Sequence, residues 1–258
     1  MPFTEKDNLR YFHFNTIKVR HGIFTRHGGL SPEPWGTLNV GGTVGDEDTR
    51  VRANRNLSLK ALERAPNSVF DAWQVHGADS VCAVAPRPDS EPTQKADIIF
   101  TDKSDLTLYM RFADCVPILM HDPRKNIIGI GHAGWVGTLR GVATAMVETA
   151  IKQYGSKPAD LITGIGPSIG PDHYEVGTDV IEQAKQKFQN DTDQVLARQH
   201  NGKAHFDLWR ANQFLLEKAG VENIEIAGIC TACNTQDWFS HRAEKGKTGR
   251  FGALIALQ

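Results

Sequence analysis

The sequence predicts an α+β fold, with mixed β-sheets flanked by helices in one compact domain spanning residues 1–258. Three observations carry this. Apolar, β-branched runs alternate irregularly with amphipathic stretches, so strands and helices intermix without the strict βαβ order of a doubly wound sheet. Glycine and proline punctuate the whole length instead of gathering in a linker, and no internal repeat or low-complexity tract divides the chain. At 258 residues and 40% hydrophobic content, one large core suffices.

From the N-terminus, an extended stretch near Phe12 to Phe24 leads into the turn-rich RHGGLSPEPWGTLNVGGTVGDED, a long polar loop that reads as a lid or a pocket wall. A helix follows from about Asp48 to Glu63. LTLYMRFADCVPILMHD (106–122) and NIIGIGHAGW (126–135) read as buried strands. GTLRGVATAMVETAIKQYG (137–155) spaces Leu139, Val142, Ala143, Met146, Val147 and Ala150 for one face of a helix, with Gly155 as its stop. ADLITGIGP and IEIAGIC read as further strands, and TDVIEQAKQKFQ and FDLWRANQFLLEKAG as helices, the last capped by Gly220.

Charge excludes some partners. Lys plus Arg number 29 against 30 Asp plus Glu, and the net charge of −1 gives no general attraction to nucleic acid or anionic lipid. The charged N-terminus lacks the apolar run of a signal peptide, and nowhere do 18 apolar residues run together. The expectation is a cytoplasmic, soluble protein, monomer or homodimer, with a small-molecule partner and no role for membrane or nucleic acid. Four cysteines, Cys82, Cys115, Cys230 and Cys233, are too few for a disulfide scaffold.

The chemistry-bearing candidates are His76, Cys115 and His132. Cys115 and His132 each stand at the end of a middle strand, and all three lie beside glycine or proline, where the backbone can approach closely. A thiolate with two imidazoles is a ligand set for zinc, and three protein ligands leave a fourth position for water or substrate. Residue types and spacing leave a second reading open, a buried structural cysteine with unrelated histidines. Cys115 as a nucleophile with His132 or His76 as its base, in a cysteine hydrolase or amidase, is a third. Cys230-Thr-Ala-Cys233 lacks the second pair of a zinc ribbon and reads as core packing, while GIGPSIG (164–170) reads as a rigid turn and not a dinucleotide loop.

HGIFTRHGGLSPEPWGTLNVGG, GDEDTRVRANR, WQVHGAD, ADIIFTD, FADCVPILMHD, IGIGHAGWVGT, GIGPSIGPDHYEVG and CTACNTQDWFSHRAEKGKTGRFGALIAL resemble the successive blocks of the laccase-domain family. Its members are described as multicopper polyphenol oxidases, as purine nucleoside phosphorylases with adenosine deaminase activity, and in some bacteria as peptidoglycan editing factors. The resemblance implies an α+β fold with mixed sheets, metal ligation by His76, Cys115 and His132, and activity on adenosine, inosine and methylthioadenosine with phosphate as co-substrate. Zn2+ is the expected metal, with Cu2+ as an alternative occupant. The hydrolase reading would then act on a peptidoglycan precursor, and copper-dependent phenol oxidation would be a weak or adventitious activity, because no His-x-His pair or histidine cluster for several coppers is present.

One position departs from the family: Val136 stands where GHAGWRGT has arginine, which removes an anion contact that Arg140, one turn on, could replace. Arg26, Asn39, Gln74 and Arg242 are candidates for substrate binding, Arg242 because its planar fork suits phosphate. Asp46 and Asp114 are secondary candidates. Asp114 and Cys115 would point to opposite faces of a strand, so Asp114 reaches the metal only if the strand bends or ends there.

Overall fold

The computed structural model describes residues 2–88, 91–198 and 202–258. Two six-stranded sheets face each other. The first combines β1 (Phe3–Lys6), β2 (Leu9–Phe12), β3 (Arg20–Phe24), β4 (Val69–Asp71), β7 (Thr107–Phe112) and β15 (Phe251–Ala256) in the order β1-β2-β3-β15-β7-β4. The second combines β5 (Ser80–Cys82), β6 (Ile98–Thr101), β8 (Val116–Asp122), β9 (Ile127–Ala133), β10 (Ile162–Ile165) and β14 (Asn223–Ile226) in the order β14-β10-β8-β9-β6-β5. Both mix parallel and antiparallel pairs: β4–β7 and β5–β6 are parallel, β15–β7 and β8–β9 antiparallel. A small third sheet holds β11 (Glu175–Val176), β12 (Leu196–Arg198) and β13 (Ala204–Phe206).

The side-chain alternation of a strand explains the layering. In β7, Leu108, Met110 and Phe112 enter the core between the sheets, where they meet Leu119, Ile128, Ile130, Phe251 and Ala253. Tyr109 of β7 and Leu254 of β15 face the other way, into a smaller core under α1 (Asp48–Ala61). On the far side of the second sheet, Val116, Ile118 and Met120 of β8 pack with α3 (Val142–Tyr154), α4 (Thr178–Phe188) and α5 (Leu208–Lys218). The α+β expectation, mixed sheets with helices outside, is what the chain forms.

Three segments differ from the sequence reading. The segment 106–122 is not one strand: β7 lies in the first sheet and β8 in the second, and the chain crosses between them at residues 113–115. Asp114 takes φ 79° there, a conformation no strand continues through. Likewise, 137–155 is two helices, α2 (Trp135–Arg140) and α3, broken at Gly141 with φ 89°. Helix α2 therefore begins at Trp135, before the expected start at Gly137 or Thr138, and it has only six residues. The extended stretch 12–24 is likewise interrupted, with β2 ending at Phe12 and β3 starting at Arg20. Gly155 ends α3 at φ 67°, as expected. Among the described residues, no helix is long and apolar enough to cross a membrane.

Candidate metal centre

The crossover between the sheets brings the three ligand candidates together. His76 sits in the loop after β4 with φ 58°, Cys115 ends the crossover, and His132 is the penultimate residue of β9, paired with Pro117 across the β8–β9 ladder. Their ligand atoms all lie within 4.8 Å of one another, and Cys115 Sγ is 4.0 Å from His76 Nε2. Zinc with ordinary bond lengths and tetrahedral angles needs about 3.6 Å between sulfur and nitrogen, so a shift of a few tenths brings this pair to that spacing.

Asp97, at the start of β6, organises these ligands. Its Oδ1 accepts the His132 Nδ1–H at 2.8 Å, which leaves His132 Nε2 free to face Cys115. The same carboxylate accepts the backbone N–H groups of Val75, His76 and Gly77 at 3.0, 3.1 and 2.7 Å, and so holds the His76 loop in its left-handed turn. Gly134 completes the cradle: a Cβ there would lie 2.8 Å from Cys115 Sγ and 3.2 Å from His76 Cδ2. One thiolate, two imidazoles, a carboxylate fixing one ring and a gap that excludes even a methyl group together fit a small, soft-to-borderline cation.

The electrostatics agree. Burial pushes the Cys115 thiol up, but the imidazoles of His132 and His76 more than reverse this and bring it down to about 6. Burial pushes His132 down, and the Cys115 sulfur and Asp97 carboxylate override it, raising the ring to about 9. Without metal, the two form a thiolate–imidazolium pair. Burial also raises Asp97, yet the hydrogen bonds from His132 and Gly77 hold it below the ordinary carboxylate range.

The trio opens into a cavity of about 710 Å³. Trp73, Trp135 and Tyr174 supply apolar wall, and residues 41–43 of the long N-terminal loop contribute an edge, so that loop is in part a pocket wall. Arg55, Arg87, Arg111, Arg242 and Arg250 also line it. Three share one counter-charge within 4.0 Å, the buried carboxylate of Asp71, which meets Arg87 at 2.7 Å, Arg111 at 3.3 Å and Arg55 at 3.8 Å. Among the described residues, Arg242 and Arg250 have no carboxylate in ion-pair range. Arg242 lies 4.9 Å over the Tyr174 ring and donates to the carbonyls of Glu175 and His173 at 3.0 and 3.4 Å. The Arg250 guanidinium donates to the carbonyls of Thr248 and Gly249.

The other expected substrate residues are distributed differently. Gln74 lines the cavity, but its amide is bonded to the backbone N–H and C=O of Arg111. Asn39 is fully buried outside the lining, where its Oδ1 accepts from the N–H groups of Gly41 and Arg250 and so positions two residues that do line it. Arg26 does not reach the cavity: its guanidinium is taken up by the carbonyls of Gly36 and Thr235 and by Glu244, over the Phe239 ring. Asp46 is a scaffold group, buried and bonded to Ser31, Asn39 and Arg50.

Asp114 does sit at a break in the chain, but it turns away from the ligands to accept Thr231 Oγ1 at 2.7 Å and the Arg242 N–H at 2.6 Å. Arg140 does not replace the arginine missing at Val136. It donates to the His76 carbonyl at 3.3 Å and is absent from the cavity wall. Asp97, Trp73, Tyr174 and Arg250 were not singled out by sequence reasoning. Asp97 and Arg250 lie within ADIIFTD and KTGRF, yet nothing local marks either as facing the trio.

The sequence profile of the multi-copper polyphenol oxidoreductase laccase family matches residues 20–258. The purine nucleoside phosphorylase YlmD of Bacillus subtilis is 32% identical over 255 residues, covering 95% of this chain and 90% of that protein. The crystal structure of YlmD from Geobacillus stearothermophilus superposes with a TM-score of 0.93 at 31% identity, covering 100% of this chain and 99% of the other. A Bacillus licheniformis hypothetical protein, YfiH, superposes with a TM-score of 0.92 at 34% identity over the same shares of both chains. With a profile match across nearly all its length and relatives above 30% identity end to end, this chain belongs to the multi-copper polyphenol oxidoreductase laccase family.

Proposed function

We propose that the chain is a zinc-dependent purine nucleoside phosphorylase acting on adenosine, inosine and methylthioadenosine, with adenosine deaminase activity from the same cavity. The observation that carries this is a Cys-His-His ligand cluster opening into a cavity whose wall holds two arginines without carboxylate partners among the described residues. The purine nucleoside phosphorylase names of the relatives support the same kind of enzyme.

Residues His76, Cys115 and His132 would hold the ion, which when bound supplies a Lewis acid that polarises an oxygen beside it. Arg242 and Arg250 bind and orient phosphate; among the described residues no carboxylate lies in ion-pair range of either, whereas Arg55, Arg87 and Arg111 share Asp71. Trp73, 48% exposed, offers a face on which a purine can stack. In phosphorolysis a phosphate oxygen forms the bond to the ribose anomeric carbon as the glycosidic C–N bond breaks. The purine leaves with that electron pair and takes up a proton. In deamination, water adds to the ring carbon bearing the amine and ammonia departs.

The test is release of free base from inosine by metal-replete protein. Base release that requires phosphate, is lost on chelation and returns with Zn2+ is expected. No conversion of any of the three nucleosides in the presence of phosphate overturns the reading. Metal analysis of protein expressed without added copper belongs with it, since stoichiometric copper and little zinc would favour an oxidase instead.

The thiolate–imidazolium pair of Cys115 and His132 also favours a second reading, a cysteine hydrolase working without metal. Iodoacetamide separates the two: a metal-bound thiolate is protected until a chelator is added, whereas a free nucleophile labels at once and activity falls with it.

A further inference from the structure

A second cluster of ligand-type side chains lies on the far side of the cavity wall. His173 follows the GIGPSIG turn, and Cys230 and Cys233 begin and end the turn after β14. Their ligand atoms lie within 4.8 Å of one another, with His173 Nδ1 3.3 Å from Cys233 Sγ and 3.9 Å from Cys230 Sγ. These two distances bracket the roughly 3.6 Å that a tetrahedral zinc requires between sulfur and nitrogen. Core packing was the expectation for this Cys-x-x-Cys pair. Burial holds only for Cys230, since Cys233 and His173 are both exposed.

The surroundings of Cys230 orient its sulfur. Two backbone amides converge on its sulfur, Gly170 N–H at 3.1 Å and Cys233 N–H at 3.4 Å. Amides aimed at one sulfur fix the direction in which its remaining lone pairs point. The backbone of Gly170 must come close for this: a Cβ there would meet Cys230 Cβ at 3.0 Å and Sγ at 3.3 Å. The two segments are already tied by main-chain bonds, Ser168 N–H to Ile229 O at 3.1 Å and Thr231 N–H to Ser168 O at 3.0 Å. The ligands therefore meet on a preformed frame, which reduces the ordering cost of binding.

We propose that His173, Cys230 and Cys233 form a second metal site, separate from the centre at His76, Cys115 and His132, which takes a thiophilic divalent cation of the zinc class with its fourth position open to solvent. Two thiolates and one imidazole suit zinc or Cu(I) and disfavour the hard cations Mg2+ and Ca2+. Its place in the fold gives it a bracing role. Thr231, between the two cysteines, donates to Asp114, and the carbonyl of His173 accepts from Arg242, so an ion here would stiffen the wall that presents Arg242 to the cavity.

Cobalt titration of metal-free protein tests this without reference to any reaction. In C115S the first centre has no thiolate, so any thiolate-to-cobalt charge-transfer band must come from the second. The expected result is a band saturating at about one equivalent in C115S, weakened in C115S/H173A and lost in C115S/C233S. Cys233 and His173 are exposed, and a circular dichroism melt confirms that each variant folds. As a second measurement, zinc-supplied wild type should hold about two equivalents of zinc by elemental analysis and C233S about one. Absence of the band in folded C115S, its persistence in C115S/C233S, or equal zinc content in wild type and C233S overturns the proposal. So does a Cys230–Cys233 disulfide in protein prepared with zinc under reducing conditions.

Discussion

Asp97 Oδ1 accepts both the Nδ1–H of His132 and the backbone N–H of His76, so one buried carboxylate sets the ring of one ligand and the loop of another. Replacing Asp97 by Asn keeps the shape and removes the charge. We expect D97N to weaken zinc affinity about 10- to 100-fold, read by competition with a chromophoric chelator. Affinity unchanged from wild type would mean that the carboxylate is a folding element alone.

Gly134 gives a steric counterpart. The methyl group of G134A would stand 2.8 Å from Cys115 Sγ, on a backbone whose φ of −71° any residue accepts. The ligand set must spread, and zinc affinity should fall by about tenfold or more while the melting temperature of the metal-free protein changes little. A variant that unfolds but still loads metal normally contradicts this account.

Arg242 and Arg250 separate the two proposed activities. Loss of a charge-assisted hydrogen bond costs about 1.5–3 kcal/mol, so R242A should raise the KM for phosphate by about 10- to 100-fold. Adenosine deamination, which uses no phosphate, should keep its KM within a few-fold. Equal damage to both activities would place Arg242 at the nucleoside instead.

His21 predicts a pH dependence remote from the centre. Burial is the main cause that lowers this ring to about 4, and its two nitrogens are committed to the neutral form, Nε2 accepting the Phe14 N–H and Nδ1 donating to Val19 O, both at 2.8 Å. Protonation would set an N–H against an N–H. Because the folded value lies below the ordinary 6.5, the stabilisation is fully present above pH 6.5 and is lost as pH falls toward 4. The full loss is about 3 kcal/mol. Urea midpoints of metal-free protein at pH 7.5 and pH 5 should show this decline, and H21Q, which keeps a hydrogen-bonding acceptor toward Phe14 and does not titrate, should flatten it. An identical decline in H21Q would assign it to other groups.

Much of this was legible from residue order because the signals are local. The stop at Gly155, the helices near 178–188 and 208–218 and the ligand types at 76, 115 and 132 each depend on a few neighbours. The break inside 106–122 was hidden because Phe112 and Val116 are buried on either side of it, so apolar character continues across the crossover. Only the positive φ of Asp114, fixed by Thr231 and by the Arg242 amide more than a hundred residues away, marks the turn. Long-range partnership likewise concealed Asp97, whose imidazole partner is 35 positions on, and the pairing of three arginines with the one carboxylate of Asp71. The meeting of His173 with Cys230 and Cys233 spans up to 60 residues, beyond any spacing rule for a zinc motif.

The crossover at residues 113–115 ties the proposed metal centre to the docking of both sheets. Its thiolate stands where the chain leaves one sheet for the other, one imidazole belongs to the second sheet, and Arg250 enters from the strand that closes the first. These contacts have high sequence separation and form only after both sheets have docked. A nascent or partly folded chain offers scattered thiols and imidazoles with no common geometry, so metal loading at the proposed centre would discriminate finished molecules from unfinished ones, and an excised fragment of either sheet would lack the cluster.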